Sequence, residues 1–391
     1  MQRVNEQAKK LQKVLVEQRR YLHARAETGF SLRETRSFVE KTLIEYGYTP
    51  QPCGKSGLVV NVGEGDKTVL LRADMDGLPI EEKTRLAYAC KERRMHACGH
   101  DMHTAMLLGG AKLLKGLEKG LKNRVKILFQ PAEEILEGAK DAVENGVLQA
   151  PSVDAAFSLH VMTGTDVPTG TVVMQKGVGA PSADYFTITV TGKGCHGSSP
   201  WEGIDPLTVA ARVLLGLQEI TARELSLRER AVLTVGSAQS GEGGNVIAEK
   251  AVLKGTLRAY EEKTREKIKR RIKEIALNTA KAYQCRGAVR FEGGCPALVN
   301  DGKVFDRLEG LFKGNFGAKS VWTVENSYGA AAEDFAYIAR EIPALMIGLS
   351  AGERKDGYDK PLHNPKTDFD ERVLWKGSAI FASVGLGYFQ E

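Results

Sequence analysis

The stretch Lys67-Thr-Val-Leu-Leu-Arg72-Ala73-Asp74-Met75-Asp76-Gly77-Leu78-Pro79 sets a pattern that the chain repeats. Residues 67–72 predict a strand, and two acidic residues follow it directly. Acidic residues just past a buried strand are where α/β proteins keep their chemistry. Residues 124–130 predict another such strand, followed by Pro131-Ala132-Glu133-Glu134. The repeated order of strand, polar group and helix predicts a mostly parallel sheet whose polar loops share one edge.

A cluster of metal-binding residue types lies between these two strands, in Met95-His96-Ala97-Cys98-Gly99-His100-Asp101-Met102-His103. Cysteine and histidine are ligands for borderline-soft divalent metals. Gly99 would let a tight loop bring Cys98 and His100 onto one ion. His96 and His103 are interpreted as structural, or as supporting the ligands. The alternative is a polar loop that happens to contain histidines.

Three more candidate ligands lie in loops, and two of them, Glu134 and His160, share the sheet edge. Glu134 follows the strand at 124–130, and His160 follows a strand predicted at 155–159. His363 lies between Pro361 and Pro365, which stiffen its loop. With Cys98 and His100 these make five ligands, too many for one tetrahedral catalytic ion that keeps an open position. We therefore expect two divalent ions, for which Zn, Mn, Co and Ni all suit the ligands.

Two carboxylates are candidates for catalytic work beside the metals. Glu133 is expected to act as the general base, because it adjoins a ligand but cannot easily point at the same ion. The alternative for the pair Glu133-Glu134 is a solvated helix N-terminus, which favours acids. Asp74 is expected to orient a ligand imidazole through its second nitrogen, with a capping role as the alternative. Asp76 is more readily explained as a cap.

The pattern changes after residue 180. Residues 181–293 predict the order βαββαβ, a ferredoxin-like α+β domain inserted into the first. Residues 1–180 and 294–391 are predicted to form the catalytic metal-binding domain, an α/β fold with a mixed, mostly parallel sheet and helices on both faces. Within the insertion, residues 192–197 match G-x-G-x-x-G, but no helix opens there, so a dinucleotide site is rejected. His196 in this loop is either a catalytic contributor or an ordinary loop residue.

Three local boundaries are also predicted. A helix over 32–46 begins with a capping box formed by Ser31 and Glu34. A helix over 104–117 follows the metal loop, and the strand at 155–159 ends before His160.

Composition limits the remaining function classes. The chain has 391 residues, 42% hydrophobic and 27% charged, with a net charge of +6. It contains no apolar run long enough to span a bilayer and no signal peptide. The basic run at 267–273 is better explained as a solvated helix face than as a nucleic-acid site. Six cysteines without an export signal indicate reduced thiols. These features predict a cytoplasmic protein without membrane or nucleic-acid partners.

Four motifs together resemble the M20 metallopeptidases, specifically the amidohydrolase branch. That branch includes hippurate hydrolases, N-acyl-amino-acid aminoacylases, auxin-conjugate hydrolases and N-acetyldiaminopimelate deacetylases. The resemblance covers nearly the entire chain, and its motifs are Arg72-Ala73-Asp74-Met75-Asp76, Cys98-Gly99-His100-Asp101, Pro131-Ala132-Glu133-Glu134 and Glu333-Asp334-Phe335. Other branches have His-x-Asp where this chain has Arg72-x-Asp74, and the early His-Pro-Glu motif is here Arg25-Ala26-Glu27.

The resemblance implies a dinuclear site built from the five ligand candidates, with Glu133 as base and Asp74 as supporting acid. It implies that the insertion is a lid and dimerisation domain. His196 would stabilise the oxyanion, in some related enzymes from the neighbouring subunit. Asn245 and Arg258 match positions that hold the substrate carboxylate, although Arg258 could instead form a surface or intra-lid salt bridge.

The expected activity is metal-dependent hydrolysis of N-acyl amino acids to a carboxylic acid and a free amino acid. The substrate is a small molecule, and the enzyme is expected to be a homodimer or a higher homo-oligomer. N-acetyldiaminopimelate deacetylase and carboxypeptidase or dipeptidase activity are alternatives on the same scaffold. An inactive binding protein is the non-enzyme alternative, and retention of Glu133 with all five ligands argues against it.

Overall fold

The computed structural model describes residues 2–325 and 331–390. The described residues form two compact units, each treated separately here. The first contains residues 2–179, 299–325 and 334–390, and the second contains residues 180–298 and 331–333. The predicted insertion at 181–293 lies within the main range of the second unit. Its role as a lid or dimerisation domain stays a prediction.

The secondary-structure elements are numbered in chain order. The helices are α1 Gln2–His23, α2 Arg33–Glu45, α3 His100–Gly116, α4 Gly138–Glu144, α5 Pro206–Glu219, α6 Glu262–Ala282, α7 Gly302–Phe316, α8 Ala336–Glu341 and α9 Leu374–Gly387. The strands are β1 Gln51–Cys53, β2 Gly57–Val62, β3 Thr68–Asp74, β4 Arg124–Gln130, β5 Ala155–Met162, β6 Val172–Gln175, β7 Gly177–Ala180, β8 Ala183–Thr191, β9 Cys195–His196, β10 Ala231–Ser240, β11 Val246–Ile247, β12 Lys250–Ala259, β13 Arg286–Cys295, β14 Leu298–Asn300, β15 Val321–Val324 and β16 Ala344–Ser350.

The first unit is built on an eight-stranded sheet in the order β1-β2-β4-β3-β5-β16-β6-β15. β3 is parallel to β4 and β5, β16 is parallel to β5, and β15 is parallel to β6. β2 runs antiparallel to β1 and β4, and β16 runs antiparallel to β6. The predicted mixed, mostly parallel sheet is therefore confirmed.

The centre of this sheet is covered on both faces. All seven residues of β3 are buried, as are six of the seven in β4. Complete burial of a parallel strand requires a layer on each face, because neighbouring side chains point to opposite sides. Helices α1, α3 and α9 pack against one another in one such layer. The carboxyl ends of β3, β4 and β5 then lie at one edge, where the candidate site is built.

Two predicted boundaries and one cap differ from the structure. α3 begins at His100, not Thr104, and β5 runs through His160 to Met162. The predicted capping box is absent at α2, where no side chain of the N-cap residue is bonded. Instead the Glu27 carboxylate accepts hydrogen bonds from the backbone N–H groups of Glu34 and Thr35 at 3.1 and 2.8 Å. Glu27 satisfies the open donors of the first helical turn from outside the helix.

The second unit has the predicted ferredoxin-like order. β8, α5, β10, β12, α6 and β13 occur in this order, with the two-residue strands β9 and β11 between them, and the antiparallel sheet has the order β10-β12-β8-β13. Helix α6 buries an apolar stripe that includes Ile268, Ile272 and Ala276. These side chains belong to a separate hydrophobic core with Phe186 and Ile188 of β8. Arg265 of α6 is also buried there, and its guanidinium donates to both oxygens of Asp184 at 2.7 and 2.8 Å.

Candidate metal centre and active site

The metal loop turns sharply at Gly99 into α3. Gly99 has a left-handed φ of 86°, and a Cβ atom there would lie 2.4 Å from Cγ2 of Val161. Only glycine fits this combination of conformation and close approach. The turn makes His100 the first residue of α3 and leaves Cys98 just ahead of it. Both side chains are therefore presented from one tight corner, as predicted from the spacing.

Cys98 lies between two histidines from distant parts of the first unit. Its Sγ is 3.4 Å from Nε2 of His160 and 3.3 Å from Nε2 of His363. His160 Nδ1 is 2.7 Å from the carbonyl oxygen of Val161, which fixes the ring and directs Nε2 toward the thiol. The backbone N–H of His363 donates to the Ala97 carbonyl at 2.9 Å, which ties the late loop to the metal loop.

His100 faces two carboxylates. Its Nε2 is 3.9 Å from Glu133 Oε2 and 3.9 Å from Glu134 Oε1. Glu134 Oε2 lies 3.4 Å from His363 Nε2, so Glu134 links His100 to the Cys98 group. Both carboxylates approach the same imidazole.

The backbone explains this arrangement. Ala132 has a left-handed φ of 58° and His363 has one of 64°. Asp76 accepts from the N–H groups of both Glu133 and Glu134, at 3.0 and 3.2 Å. Asp76 therefore acts as the predicted cap, and it holds the two glutamates in register.

Several buried polar atoms of this group lack partners. Within residues 2–325 and 331–390, both ring nitrogens of His100 and Oε1 of Glu134 are buried without a hydrogen bond. Such atoms are costly unless something binds them. Burial raises the pKa of the Cys98 thiol well above its usual range, and burial raises the pKa of Glu134 to about 7. A bound cation would favour the ionised forms of both. Thiol, imidazole and carboxylate donors with open positions fit divalent metal ions.

We call the five predicted ligands the ligand cluster: Cys98, His100, Glu134, His160 and His363. Their donor atoms fall into overlapping groups, each spanning at most 4.8 Å: Cys98 with His100 and His160, Cys98 with Glu134 and His363, and His100 with Glu133 and Glu134. The structure thus brings all five predicted ligands and Glu133 together.

Asp74 lies closest to His103, which is not one of the five predicted ligands. Its Oδ1 lies 2.6 Å from Nδ1 of His103, whereas His100 Nδ1 is 3.9 Å from Asp74 and 3.4 Å from Asp76. His103 Nε2 accepts the backbone N–H of Val161 at 2.8 Å. With both nitrogens engaged, His103 is a structural link between α3 and β5. Asp74 supports the site through this histidine.

Arg72 forms a buried ion network behind the site. Its guanidinium donates to Asp74 at 2.6 Å, to Asp334 at 2.9 Å and to the Gln130 side chain at 2.9 Å. Burial opposes ionisation of Asp74, but the charges of His100 and Arg72 hold its pKa well below the usual range. Arg72 therefore serves as a counter-ion.

A second buried group, which sequence reasoning missed, holds the other side of the metal loop. We call it the anchor cluster: Arg19, His23, Glu82 and Asp101. Asp101 Oδ2 lies 2.7 Å from Arg19 Nε and 2.8 Å from His23 Nδ1. His23 Nε2 lies 3.1 Å from Glu82 Oε1. His96 is buried beside this group, where burial lowers its pKa to about 4.

The three predicted residues of the second unit stand in exposed or half-buried positions there. His196, in β9, is exposed, and its Nδ1 accepts the backbone N–H of Ser198 at 3.2 Å. Asn245 is exposed just before β11. Arg258, in β12, donates to the Leu257 carbonyl at 3.1 Å and lies 5.6 Å from the Tyr185 ring centroid. The described residues provide no salt bridge for Arg258, so the intra-lid alternative is not seen.

Comparison with known proteins identifies the class. A profile of Peptidase family M20/M25/M40 matches residues 70–386. An N-acetyl-L-cysteine deacetylase of Bacillus subtilis (strain 168) is 36% identical over 94% of this chain and 86% of its own. An IAA-amino acid hydrolase, ILR1-like 2, of Arabidopsis thaliana is 33% identical over 96% of this chain and 85% of its own.

A solved structure shows the same architecture. The Bacillus subtilis YXEP protein, described as a dinuclear metal-binding peptidase from the M20 family, superposes with a TM-score of 0.80. It is 30% identical over 97% of this chain and 98% of its own.

The chain therefore belongs to Peptidase family M20/M25/M40. It is a metal-dependent hydrolase that acts on amide bonds. In the part of the chain that the structure describes, no helix is long and apolar enough to cross a membrane.

Proposed function

We propose that the enzyme hydrolyses the amide bond of N-acyl amino acids and releases a carboxylic acid and a free amino acid. The observation that carries this proposal is the convergence of the ligand cluster with a buried carboxylate, Glu133, at one sheet edge. The names of the two relatives, an N-acetyl-L-cysteine deacetylase and an IAA-amino acid hydrolase, describe acylated amino acids. Both names support the same substrate class.

We propose that the ligand cluster holds two divalent ions, chosen from Zn, Mn, Co and Ni. Ions held there would polarise the amide carbonyl and lower the pKa of a water molecule. The unpartnered atoms of His100 and Glu134 supply the open donors for them. Asp76 and Asp74 hold the loops that present these donors, through the amides of Glu133 and Glu134 and through His103.

Glu133 is the proposed general base and then the general acid. Its side chain is 7% exposed, and its Oε2 reaches to 3.9 Å from the His100 ring. The carboxylate takes a proton from the attacking water and passes it to the leaving amine, which departs as a neutral amino group. The hydrogen bond from its own backbone N–H to Asp76 fixes the start of this side chain and limits its reorientation.

The second unit supplies the remaining proposed roles. We propose that His196 donates to the oxyanion that develops on the carbonyl, with Nε2 as the donor because Nδ1 accepts from Ser198. Asn245 and Arg258 are proposed to bind the substrate carboxylate, for which a guanidinium offers two parallel donors. We further propose that this unit is a lid and dimerisation domain, that the enzyme is at least a homodimer, and that it is cytoplasmic.

A substitution of Glu133 tests the mechanism, and a substrate screen tests the specificity. Glu133→Gln should keep its metal, measured by elemental analysis, and lose at least about a hundredfold in kcat. Glu137→Gln is the matched control, because Glu137 is exposed four residues further along. Acetyl, benzoyl, succinyl and indoleacetyl amino acids are compared with dipeptides as substrates.

Each outcome of this experiment has one meaning. Near wild-type turnover of Glu133→Gln would show that another group transfers the proton. Loss of metal would assign Glu133 to the ligands. Faster hydrolysis of dipeptides than of every N-acyl amino acid would favour the peptidase alternative.

A further inference from the structure

A separate cavity of about 500 Å³ lies in the first unit. It is lined by the loop before β6, by the short turn that precedes β15 together with Trp322 of that strand, and by residues at the start of α9. No residue of the ligand cluster and no acidic residue is among its described lining residues. A cavity of this volume is in the range that holds small organic molecules.

Lys376 is the unusual residue of this cavity. It is the one charged residue of α9, whose other side chains are apolar or small. It is only 9% exposed, and its Nζ donates one hydrogen bond, to the Gly170 carbonyl at 2.6 Å. The ring centroid of Phe316 lies 5.0 Å from Nζ, a contact that does not neutralise the charge.

The ammonium of Lys376 therefore has capacity for a further partner. An ammonium group has three donors, so two remain after the bond to Gly170. Among the described residues no carboxylate lies within 4.0 Å of Nζ, and a buried charge without a counter-ion is costly. A bound anion would remove this cost.

Other groups of the lining complete an anion site. Lys319 is an exposed second cation at the mouth of the cavity. Oγ1 of Thr169 is buried and has no hydrogen-bond partner in the described part of the chain. Arg372 adds no free charge, because its guanidinium is bonded to both oxygens of Asp370.

Two indole side chains are among the lining residues of the cavity. Trp322 is 41% exposed at the start of β15, and Trp375 lies next to Lys376 in α9. The Nζ atom of Lys9 lies 5.0 Å from the centroid of the Trp375 ring. Indole side chains favour contact with planar rings.

We propose that this cavity binds a small organic carboxylate with a planar, apolar body. The carboxylate would accept from Lys376 and from the Thr169 hydroxyl, and the ring would lie against the indoles. A single buried ammonium suits a monoanion, and the indole side chains give phosphate nothing to contact. The site is distinct from the ligand cluster and does not depend on the proposed substrate.

Tryptophan fluorescence can test this proposal with benzoate as the probe. A Trp201→Phe background removes the third tryptophan, which is exposed in the second unit, and leaves Trp322 and Trp375 as reporters. Benzoate should give saturable quenching. Benzyl alcohol, which has the same ring without the charge, should bind at least about tenfold more weakly. Lys376→Met should weaken benzoate binding about ten- to a hundredfold, the loss expected for a charge-assisted contact.

Control variants separate this site from the catalytic centre. Lys10→Met removes an exposed ammonium from α1 and should leave the affinity unchanged. Lys376→Met leaves every residue of the catalytic machinery in place, so benzoate bound at the catalytic centre would be unaffected by it. Lys319→Gln alters an exposed side chain without risk to the fold, and it should weaken binding about threefold.

The following results would overturn the proposal. Equal affinity in the parent and Lys376→Met would show that the ammonium takes no part. Equal binding of benzyl alcohol would show an apolar site without ion recognition, and displacement of benzoate by lower concentrations of inorganic phosphate would show a phosphate site. Absence of quenching up to about 10 mM benzoate, beyond the weak millimolar range, would show that no such site exists. If Lys376→Met does not fold, unchanged affinity in Lys319→Gln decides against the proposal.

Discussion

The ligand cluster and the anchor cluster hold opposite sides of the same metal loop, and they differ in how their polar atoms are satisfied. In the anchor cluster, Arg19, His23 and Asp101 contact one another at 2.7 and 2.8 Å, and among the described residues Oδ1 of Asp101 is the one side-chain atom of this cluster buried without a hydrogen bond. In the ligand cluster, three buried atoms make no hydrogen bond in the described residues: one oxygen of Glu134 and both ring nitrogens of His100, of which Nδ1 lies 3.4 Å from Asp76. Hydrogen-bonded charges can stabilise a fold, whereas buried polar atoms without a hydrogen bond reduce its stability until a ligand binds them. One side of the loop is therefore suited to rigidity and the other to binding.

The largest expected effect comes from breaking the anchor cluster. Arg19→Met would leave Asp101 buried beside His23 without its main counter-ion, and should reduce the free energy of unfolding by about 3–5 kcal/mol. Arg20→Met is the matched control, because the neighbouring Arg20 side chain is 49% exposed and pairs with Glu371 at the surface. Its expected loss is below about 1 kcal/mol. Urea unfolding of the metal-free proteins measures both losses of unfolding free energy. Equal losses in Arg19→Met and Arg20→Met would show that the buried pair adds no more stability than the surface pair.

A somewhat smaller effect is expected from filling the ligand cluster. A divalent ion at a hundred times its Kd should raise the free energy of unfolding by about 2.7 kcal/mol. Cys98→Ala should lose most of this increment and its bound metal, while the metal-free variant unfolds close to the parent. Thermal melts with and without added ion give the increment. Full metal content in Cys98→Ala by elemental analysis would remove Cys98 from the ligands.

The smallest expected effect is on the pH dependence of the free energy of unfolding, and it concerns His23. Burial and the charge of Arg19 oppose protonation of His23, but the bonds to Asp101 and Glu82 raise its pKa above the ordinary 6.5. The folded state therefore binds this proton more tightly than the unfolded state. Its stabilising contribution is complete below pH 6.5 and is lost as the pH rises through the raised pKa, by at most about 1.4 kcal/mol per pH unit.

His23→Gln provides the measurement for this third prediction. The free energy of unfolding of the metal-free protein is measured by urea titration at several pH values above 6.5, in the parent and in the variant. The slope of this free energy against pH should become flatter in the variant by the share that His23 contributes. An identical slope in parent and variant would show that His23 keeps the same charge in the folded and unfolded states.

Sequence reasoning could predict the ligand cluster because topology alone brings it together. Parallel strands place their carboxyl ends at one edge, so Glu134 and His160 had to approach the loop that carries Cys98. His363 was predicted as a ligand because prolines on both sides stiffen its loop. The sheet was predicted from the repeated order of strand, polar group and helix, and the insertion from the order of its strands and helices after residue 180.

The anchor cluster could not be predicted in the same way. Arg19 lies on the amphipathic helix α1, and a charged residue is exposed by default. Its partner Asp101 is 82 positions away, and nothing in either local sequence indicates the pairing. Glu27 was missed as a helix cap for a similar reason, since a nearby serine offered a local explanation. The direction of Glu133 depends on the left-handed backbone at Ala132, which alanine does not signal.

Left-handed backbone at Ala132 and His363 has an evolutionary consequence. For residues other than glycine this conformation costs roughly 1–2 kcal/mol, so glycine would relieve strain at both positions. Selection of random variants for heat resistance alone would then favour glycine at 363, where it would also delete a histidine. Under the proposed role of His363 as a metal ligand, selection for heat resistance and selection for turnover favour different residues at that position.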